Sequence, residues 1–158
     1  MTSSLEILLR DPGNVFARVD GVLIQVRCGA IGVALIDRIS EEVQRLLRAW
    51  GERPSGFIAV LEPTAETVSL AVRERQRRIV RATESQGDVK MAMVVVGDGV
   101  AAALSRSIAR TIMIRHQKLK VVADVDEAAR WVAPHVGAGV AETARAVQTV
   151  RRLLVAER

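Results

Sequence analysis

The chain has 158 residues, of which 49% are hydrophobic and 26% charged, and its formal net charge is +5. This length and composition are typical of one folded domain and exclude a disordered chain. Its single cysteine, Cys28, cannot form an internal disulfide, which favours a reducing, cytoplasmic location. No apolar run reaches the roughly 20 residues that cross a bilayer, and the first ten residues lack a basic leader, so we expect neither a membrane span nor a signal peptide.

The positive charge raises the question of nucleic-acid binding. Proteins that hold single strands stack the bases on exposed aromatic rings, yet this sequence has no tyrosine, two phenylalanines and two tryptophans. These rings are scattered along the chain, and arginine dominates over lysine throughout, a bias that a GC-rich genome would produce. We therefore do not expect a nucleic-acid partner, and a steep salt dependence of binding would reveal one.

The first predicted elements are an antiparallel hairpin and a helix. Residues 16–27 form two apolar stretches on either side of Asp20-Gly21, a dipeptide that supplies the positive φ angles of a tight turn. From Val33 to Trp50, apolar residues recur at helical spacing, and glycine and proline follow.

Three short apolar runs then alternate with helical segments. Continuous apolar runs are typical of strands that are covered on both faces, and these lie at 56–61, 90–96 and 121–123. We expect a polar helix from about Thr64 to Gln86, a second from Val100 to about Arg115, and a short third one capped by Asp124. Such alternation indicates βαβ crossovers and a parallel sheet.

The predicted fold is therefore an α/β domain over residues 1–136. Its sheet is mixed and mainly parallel, has four to five strands, begins with the N-terminal hairpin and is packed by helices. An extra amphipathic helix is predicted within residues 137–158, where apolar residues alternate spacings of three and four. A seam this short cannot stand alone in water. It packs either on its own domain or in a homodimer, for which the candidate residues are Val140, Val147, Val150 and Leu154.

No catalytic or metal-binding arrangement is evident in the sequence. Gly97-Asp98-Gly99 matches the loose glycine pattern of a nucleotide-binding loop, but a tight strand-to-helix turn explains the same glycines. His116 and His135 lack carboxylates or cysteines at ligand spacing, so we predict no metal site and no cofactor. No nucleophile can be paired with a base, and we therefore predict a protein that is not an enzyme.

Arginines form the most unusual predicted surface. Arg73, Arg77 and Arg81 are spaced i, i+4 and i+8, so they form one stripe on a helix. Like charges at this spacing repel one another unless an anion or an acidic partner faces them. Arg106 and Arg110 repeat the spacing on the next helix. These five arginines are the candidate residues for binding a partner or an anion.

The order of elements resembles the STAS domain, named for sulfate transporters and anti-sigma-factor antagonists. The resemblance covers about residues 15–136 and rests on the hairpin, the strand at 57–61, the stretch 94–107 (VVVGDGVAAALSRS) and the acidic turn that begins the helix at 125–131. It implies a non-enzymatic bacterial module that binds other proteins in signalling or assembly. Classical members carry a phosphorylatable serine in an Asp-Ser-Ser-Gly-like turn after the central strand, and the equivalent loop here, Glu62 to Ser69, lacks that motif.

Thr64 is the candidate phosphate acceptor in this loop, because a helix N-terminus favours negative charge. Its simpler role is that of helix N-cap. The leading prediction is a STAS-like protein-interaction module, expected to be a homodimer. The alternatives are a carrier or sensor of a small anionic or lipid-like ligand, and a nucleotide-binding protein that uses Gly97-Asp98-Gly99.

Overall fold

The structure, a computed structural model, describes residues 4–113 and 118–156. Within these residues, six strands form one sheet whose spatial order follows the chain. The strands are β1 (Glu6–Asp11), β2 (Asn14–Val19), β3 (Val22–Arg27), β4 (Ser55–Leu61), β5 (Val89–Val95) and β6 (Leu119–Val122). The α-helices are α1 (Val33–Trp50), α2 (Leu70–Gln86), α3 (Val100–Met113), α4 (Val125–Val132) and α5 (Val140–Val155), with a 3₁₀ turn at Ala133–Val136. The α/β class and the mixed sheet are confirmed.

The predicted hairpin is the β2–β3 pair, in which Val19 lies opposite Val22. Asp20 has a φ of 49°, in the left-handed region that aspartate tolerates better than most residues. A further antiparallel strand, β1, precedes this pair, so the predicted count of four to five strands is wrong. β1 was missed because it lies at the sheet edge, with charged residues at both ends and a register irregularity between Ile7 and Leu9 that interrupts any alternation.

The strands β3 to β6 are parallel neighbours. Successive residues of β3 enter different apolar clusters: Leu23 packs with α1 and α2 on one face of the sheet, and Ile24 packs with α4 and α5 on the other. Both faces are therefore covered, which explains why the strands read as continuous apolar runs rather than as alternating ones.

Helix α2 begins later than the sequence predicts. Its first residue is Leu70, and its N-cap is Ser69, whose Oγ accepts a hydrogen bond from the Val72 amide at 3.2 Å. The prediction that Thr64 caps this helix is therefore wrong. The Thr64 hydroxyl instead donates to the Cys28 carbonyl oxygen at 2.7 Å, and residues 62–69 form a loop that closes over the end of β3.

The C-terminal helix packs on its own chain. Val147, Val150 and Leu154 are buried, and α5 contacts β2, β3 and α4; Val140 is partly buried against the same cluster. Within one chain, these residues pack against the sheet and α4. None of the described helices combines the length and the apolar character needed to cross a bilayer.

Candidate functional site

A cavity of about 1010 Å³ lies at the carboxyl ends of β3 and β4, the edge at which parallel sheets keep their ligand crevices. A smaller cavity of about 190 Å³ shares Cys28, Thr64 and Leu154 with it. We call the two together the strand-end cleft. The residues that line it are Arg10, Asp11, Pro12, Gly13, Cys28, Gly29, Glu62, Pro63, Thr64, Glu66, Leu154 and Val155.

Two glycines bring the β1–β2 turn against the end of β3. Gly13 has a φ of 80°, and a Cβ atom added to it would lie 3.1 Å from the Cα of Gly29. The Gly13 carbonyl oxygen accepts a hydrogen bond from the Cys28 amide at 2.8 Å. A side chain at Gly13 would therefore open this wall of the cleft and strain the turn.

Buried polar side chains hold the loops around the cleft. Asn14 and Arg27 lie opposite each other on β2 and β3 and are only 3% and 7% exposed. The Arg27 Nη1 donates to the carbonyl oxygens of Glu66 at 2.7 Å and Gly29 at 3.5 Å, and the Asn14 Nδ2 donates to Ala30 at 2.9 Å. Burial lowers the pKa of the Arg27 guanidinium, while the Glu66 carboxylate acts in the opposite direction. Sequence reasoning missed both residues, because each is a lone polar residue within an apolar strand.

An ion pair fastens the opposite wall. Arg151 of α5 makes a two-pronged interaction with the Glu62 carboxylate, with Nη2 at 3.1 Å from Oε2. Both side chains are mostly buried, which strengthens a charge pair relative to one in open solvent. The loop after β4 is thus joined to the last described helix, and the Glu62 charge is neutralised within the protein.

The lining carries charged side chains of both signs. Arg10 contributes a guanidinium, which donates to the Leu153 carbonyl oxygen at 3.4 Å, and Asp11 and Glu66 contribute carboxylates. None of the five predicted arginines lines the cleft. The lining residues include no histidine to serve as a base for the Cys28 thiol or the Thr64 hydroxyl. The charged groups of the cleft are thus distinct from the arginines that the sequence singles out.

The arginines of α2 are exposed, as the helical spacing predicts. Arg73, Arg77 and Arg81, which we call the α2 row, form no ion pair with any described carboxylate. The neighbouring Arg75, by contrast, pairs with Asp37 of α1 at 2.8 Å between Nε and Oδ1. At 100° per residue, the 68% exposed Leu70 falls on the same outward face as the row. This face carries the three guanidinium groups and the apolar Leu70, with the exposed Glu74 beside them.

The two predicted arginines of α3 have internal partners. Arg106 Nη1 donates to the carbonyl oxygens of Val95 and Gly97, both at 3.1 Å, and Arg110 Nε donates to that of Val121 at 3.4 Å. Because these bonds tie α3 to the ends of β5 and β6, the structure gives this pair a different role from that of the α2 row.

The other predicted positions are less informative. Gly97 and Gly99 have φ values of 130° and 100°, which the strand-to-helix turn requires. His135 lies 3.3 Å from the Asp88 carboxylate, measured from Nε2 to Oδ1, and His116 lies outside the described residues. Within the described ranges, no group of three or more His, Cys, Asp or Glu residues is placed to hold a metal ion.

Comparison of the chain with protein-family models and with curated proteins found no match. What the molecule binds must therefore be inferred from its own surfaces. The α2 row is an open, positively charged helix face, whereas the strand-end cleft is concave and carries both signs of charge. An exposed helix face of this kind suits a macromolecular partner, whereas a concave cleft suits a small molecule.

Proposed function

We propose that the chain is a non-enzymatic, STAS-like interaction module that binds an acidic partner protein through α2. The observation that carries this proposal is the α2 row, whose three exposed guanidinium groups have no carboxylate partner among the described residues. Successive members lie about 6 Å apart along the helix. Repulsion between neighbouring arginines destabilises the unbound protein by a few tenths of a kcal/mol per pair. Carboxylates on a bound partner would offset this repulsion by attracting the guanidinium groups.

The surroundings of the row also suit a protein partner. Interface hot spots combine arginine with apolar anchors that become desolvated, and Leu70 supplies an exposed apolar side chain on the same face. Helix α2 packs on α1 and the sheet through Val72 and Ile79, so the outward face is held by a rigid support. A preformed helix face loses little conformational entropy when a partner docks.

The resemblance to STAS domains supports the same proposal. A β2–β3 hairpin followed by parallel βα units is the order of elements that the resemblance implies. Phosphorylation at Thr64 gains no support from the helix dipole, because α2 begins six positions later, at Leu70. Regulation through the α2 surface needs no modification of that loop.

The test is a charge reversal of the row. The variant R73E/R77E/R81E and the wild type are used to capture partners from the native host, and each bound protein is identified and rebound in pure form. The matched control, R38E/R48E/R130E, reverses three exposed arginines on α1 and α4. We expect the wild type and the control to bind the same acidic protein, with affinity that falls as salt rises, and the α2 variant to lose it.

Three outcomes would overturn the proposal. In the first, the pure partner binds the α2 variant as tightly as the wild type. In the second, the molecule lost by the variant is a nucleic acid. In the third, the pure protein turns over a small substrate. Light scattering on the same samples measures whether the chain is a homodimer, the state expected from the sequence.

A further inference from the structure

Beyond the partner surface, we propose that three lysines around Trp131 bind a small ligand that carries linked phosphate groups, of the chemical class of an inorganic triphosphate. Lys90, Lys118 and Lys120 are the only lysines among the 23 basic residues of the chain, and we call them, together with Trp131, the lysine patch. The patch lies on the face of the sheet that α4 covers, whereas α2 packs on the opposite face. The two proposals share no residue and can therefore fail separately.

The lysine patch is arranged around one indole ring. Lys90 Nζ lies 4.2 Å from the centroid of the Trp131 ring, and Lys120 Nζ lies 5.5 Å from it. The ring is held in place, because its Nε1 donates a hydrogen bond to the Met91 carbonyl oxygen at 3.2 Å. Lys118 directly precedes β6 and stands beside Lys90 across the β5–β6 pairing, where neighbouring strands lie about 4.8 Å apart. The fold thus brings three ammonium-bearing side chains to one corner of the sheet.

The positive charge of the patch is only partly neutralised by the protein. The Glu127 carboxylate pairs with Lys120, at 3.3 Å between Oε1 and Nζ. Lys90 and Lys118 form no ion pair with any described carboxylate, and Asp88, two residues before Lys90, faces a histidine instead. Like charges that are direct neighbours on adjacent strands destabilise a sheet. Lys90 and Lys118 therefore repel each other unless an anion lies between them.

Protection of the sheet edge does not explain the whole patch. Lysines on an edge strand hinder its pairing with another chain, and Lys118 and Lys120 lie at β6, the outermost described strand on this side of the sheet. Lys90 lies on β5, which pairs with a strand on each side. This lysine has no edge to protect, so its place beside the other two requires another reason. A bound anion supplies one.

The use of lysine favours phosphate over carboxylate as the bound group. A guanidinium matches a planar carboxylate with two parallel hydrogen bonds, whereas an ammonium is a compact point charge whose three donors suit tetrahedral phosphate oxygens. The spacing favours several linked phosphates. One phosphate fits between Lys90 and Lys118, and Lys120 lies two residues, or about 6.6 Å, farther along its strand than Lys118. A chain of phosphates follows this spacing better than a single phosphate does.

Binding of tripolyphosphate to the full chain is measured in about 0.15 M salt by calorimetry and two-dimensional NMR. The variant Trp50→Phe assigns the two indole N–H signals, and we expect the Trp131 signal to shift while that of Trp50, on α1, does not. Affinity should fall at least about tenfold from tripolyphosphate to single phosphate and to citrate, a tricarboxylate. Equal affinity for citrate, or no binding of tripolyphosphate at about 1 mM, would overturn the proposal.

ATP distinguishes two sources of the phosphate chain. If ATP binds no more tightly than tripolyphosphate, the free chain is the ligand, and if ATP binds more tightly, the ligand is a nucleotide; both results support the proposal. Vesicles that contain phosphatidylglycerol and single-stranded DNA are added to the same protein. If either displaces tripolyphosphate at a lower phosphate concentration than ATP does, the patch serves a membrane or a nucleic acid, and the proposal is wrong.

Substitutions locate the site. Lys90→Gln and Lys118→Gln should each weaken tripolyphosphate binding at least about fivefold. The control Arg48→Gln removes an exposed cation on α1 and should leave the affinity unchanged. The charge-reversed α2 variant should still bind tripolyphosphate, whether or not it has lost a protein partner. Thermal unfolding verifies that each variant is folded. Binding that survives both lysine variants, or that disappears in the α2 variant, would place the phosphate elsewhere and refute the assignment.

Discussion

The packing of α5 on its own sheet can be tested at Val147. This side chain is fully buried, at 0% exposure, within the cluster that joins α5 to the strands and to α4. Val147→Ala removes two buried carbon groups, each worth about 0.8 kcal/mol of transfer free energy, and leaves a cavity that adds to the loss. We expect the free energy of unfolding to fall by about 2–3 kcal/mol and the melting temperature by about 4–10 °C.

Urea denaturation followed by circular dichroism measures this loss. Val155→Ala provides a matched control on the same helix, because Val155 is 65% exposed, and it should change stability by less than about 0.5 kcal/mol. If α5 packs within one chain, the loss at Val147 is independent of protein concentration, whereas a dimer seam would make it depend on dilution. A loss no larger than that of Val155→Ala, or one that grows on dilution, would refute the reasoning.

Two further substitutions test the packing and the corrected helix start. Gly56→Ala should lower the free energy of unfolding by about 1–3 kcal/mol, because a Cβ atom there would lie 2.3 Å from the Val132 Cγ1. The control is Gly87→Ala: a Cβ atom at Gly87 would have no neighbour within 4 Å, so the free energy of unfolding should change by less than about 0.5 kcal/mol. Ser69→Ala should cost about 1 kcal/mol, because it removes the acceptor of the Val72 amide. Urea denaturation measures all three.

The control for the cap is Ser105→Ala, which alters an exposed serine within α3. It should leave the free energy of unfolding almost unchanged, since its side chain caps no helix. If Ser69→Ala proved as neutral as Ser105→Ala, the assignment of the N-cap to Ser69 would be wrong.

Much of the fold could be predicted because its elements have strong local signals. The spacing of apolar residues correctly predicted the bounds of α1, Val33 to Trp50. The Asp124 side chain accepts a hydrogen bond from the Glu127 amide at 2.7 Å, as expected of the N-cap of α4. β1 and the start of α2 could not be predicted. The first is half exposed, and the second follows a loop whose shape depends on distant bonds from Arg27 and Thr64.

The candidate sites divide in the same way. The α2 row could be predicted because exposure follows from helical spacing alone. The role of Arg106 could not be predicted, because its hydrogen-bond partners are backbone carbonyl groups at the end of β5. The positions of backbone carbonyl groups depend on the fold and cannot be read from the sequence. The strand-end cleft has contributions from four separate stretches of chain, among them the β1–β2 turn and the end of α5. Only tertiary structure brings those stretches together.

The position of α5 also has a consequence for synthesis on the ribosome. The strands β2 and β3 emerge early, yet the apolar face that they share is covered by α5, which emerges long after them. Until α5 emerges, Ile24 and its neighbours leave an exposed hydrophobic surface on the nascent chain, and chaperones bind surfaces of this kind. The Glu62–Arg151 contact also requires this helix, so the loop after β4 gains that ion pair only once α5 has emerged.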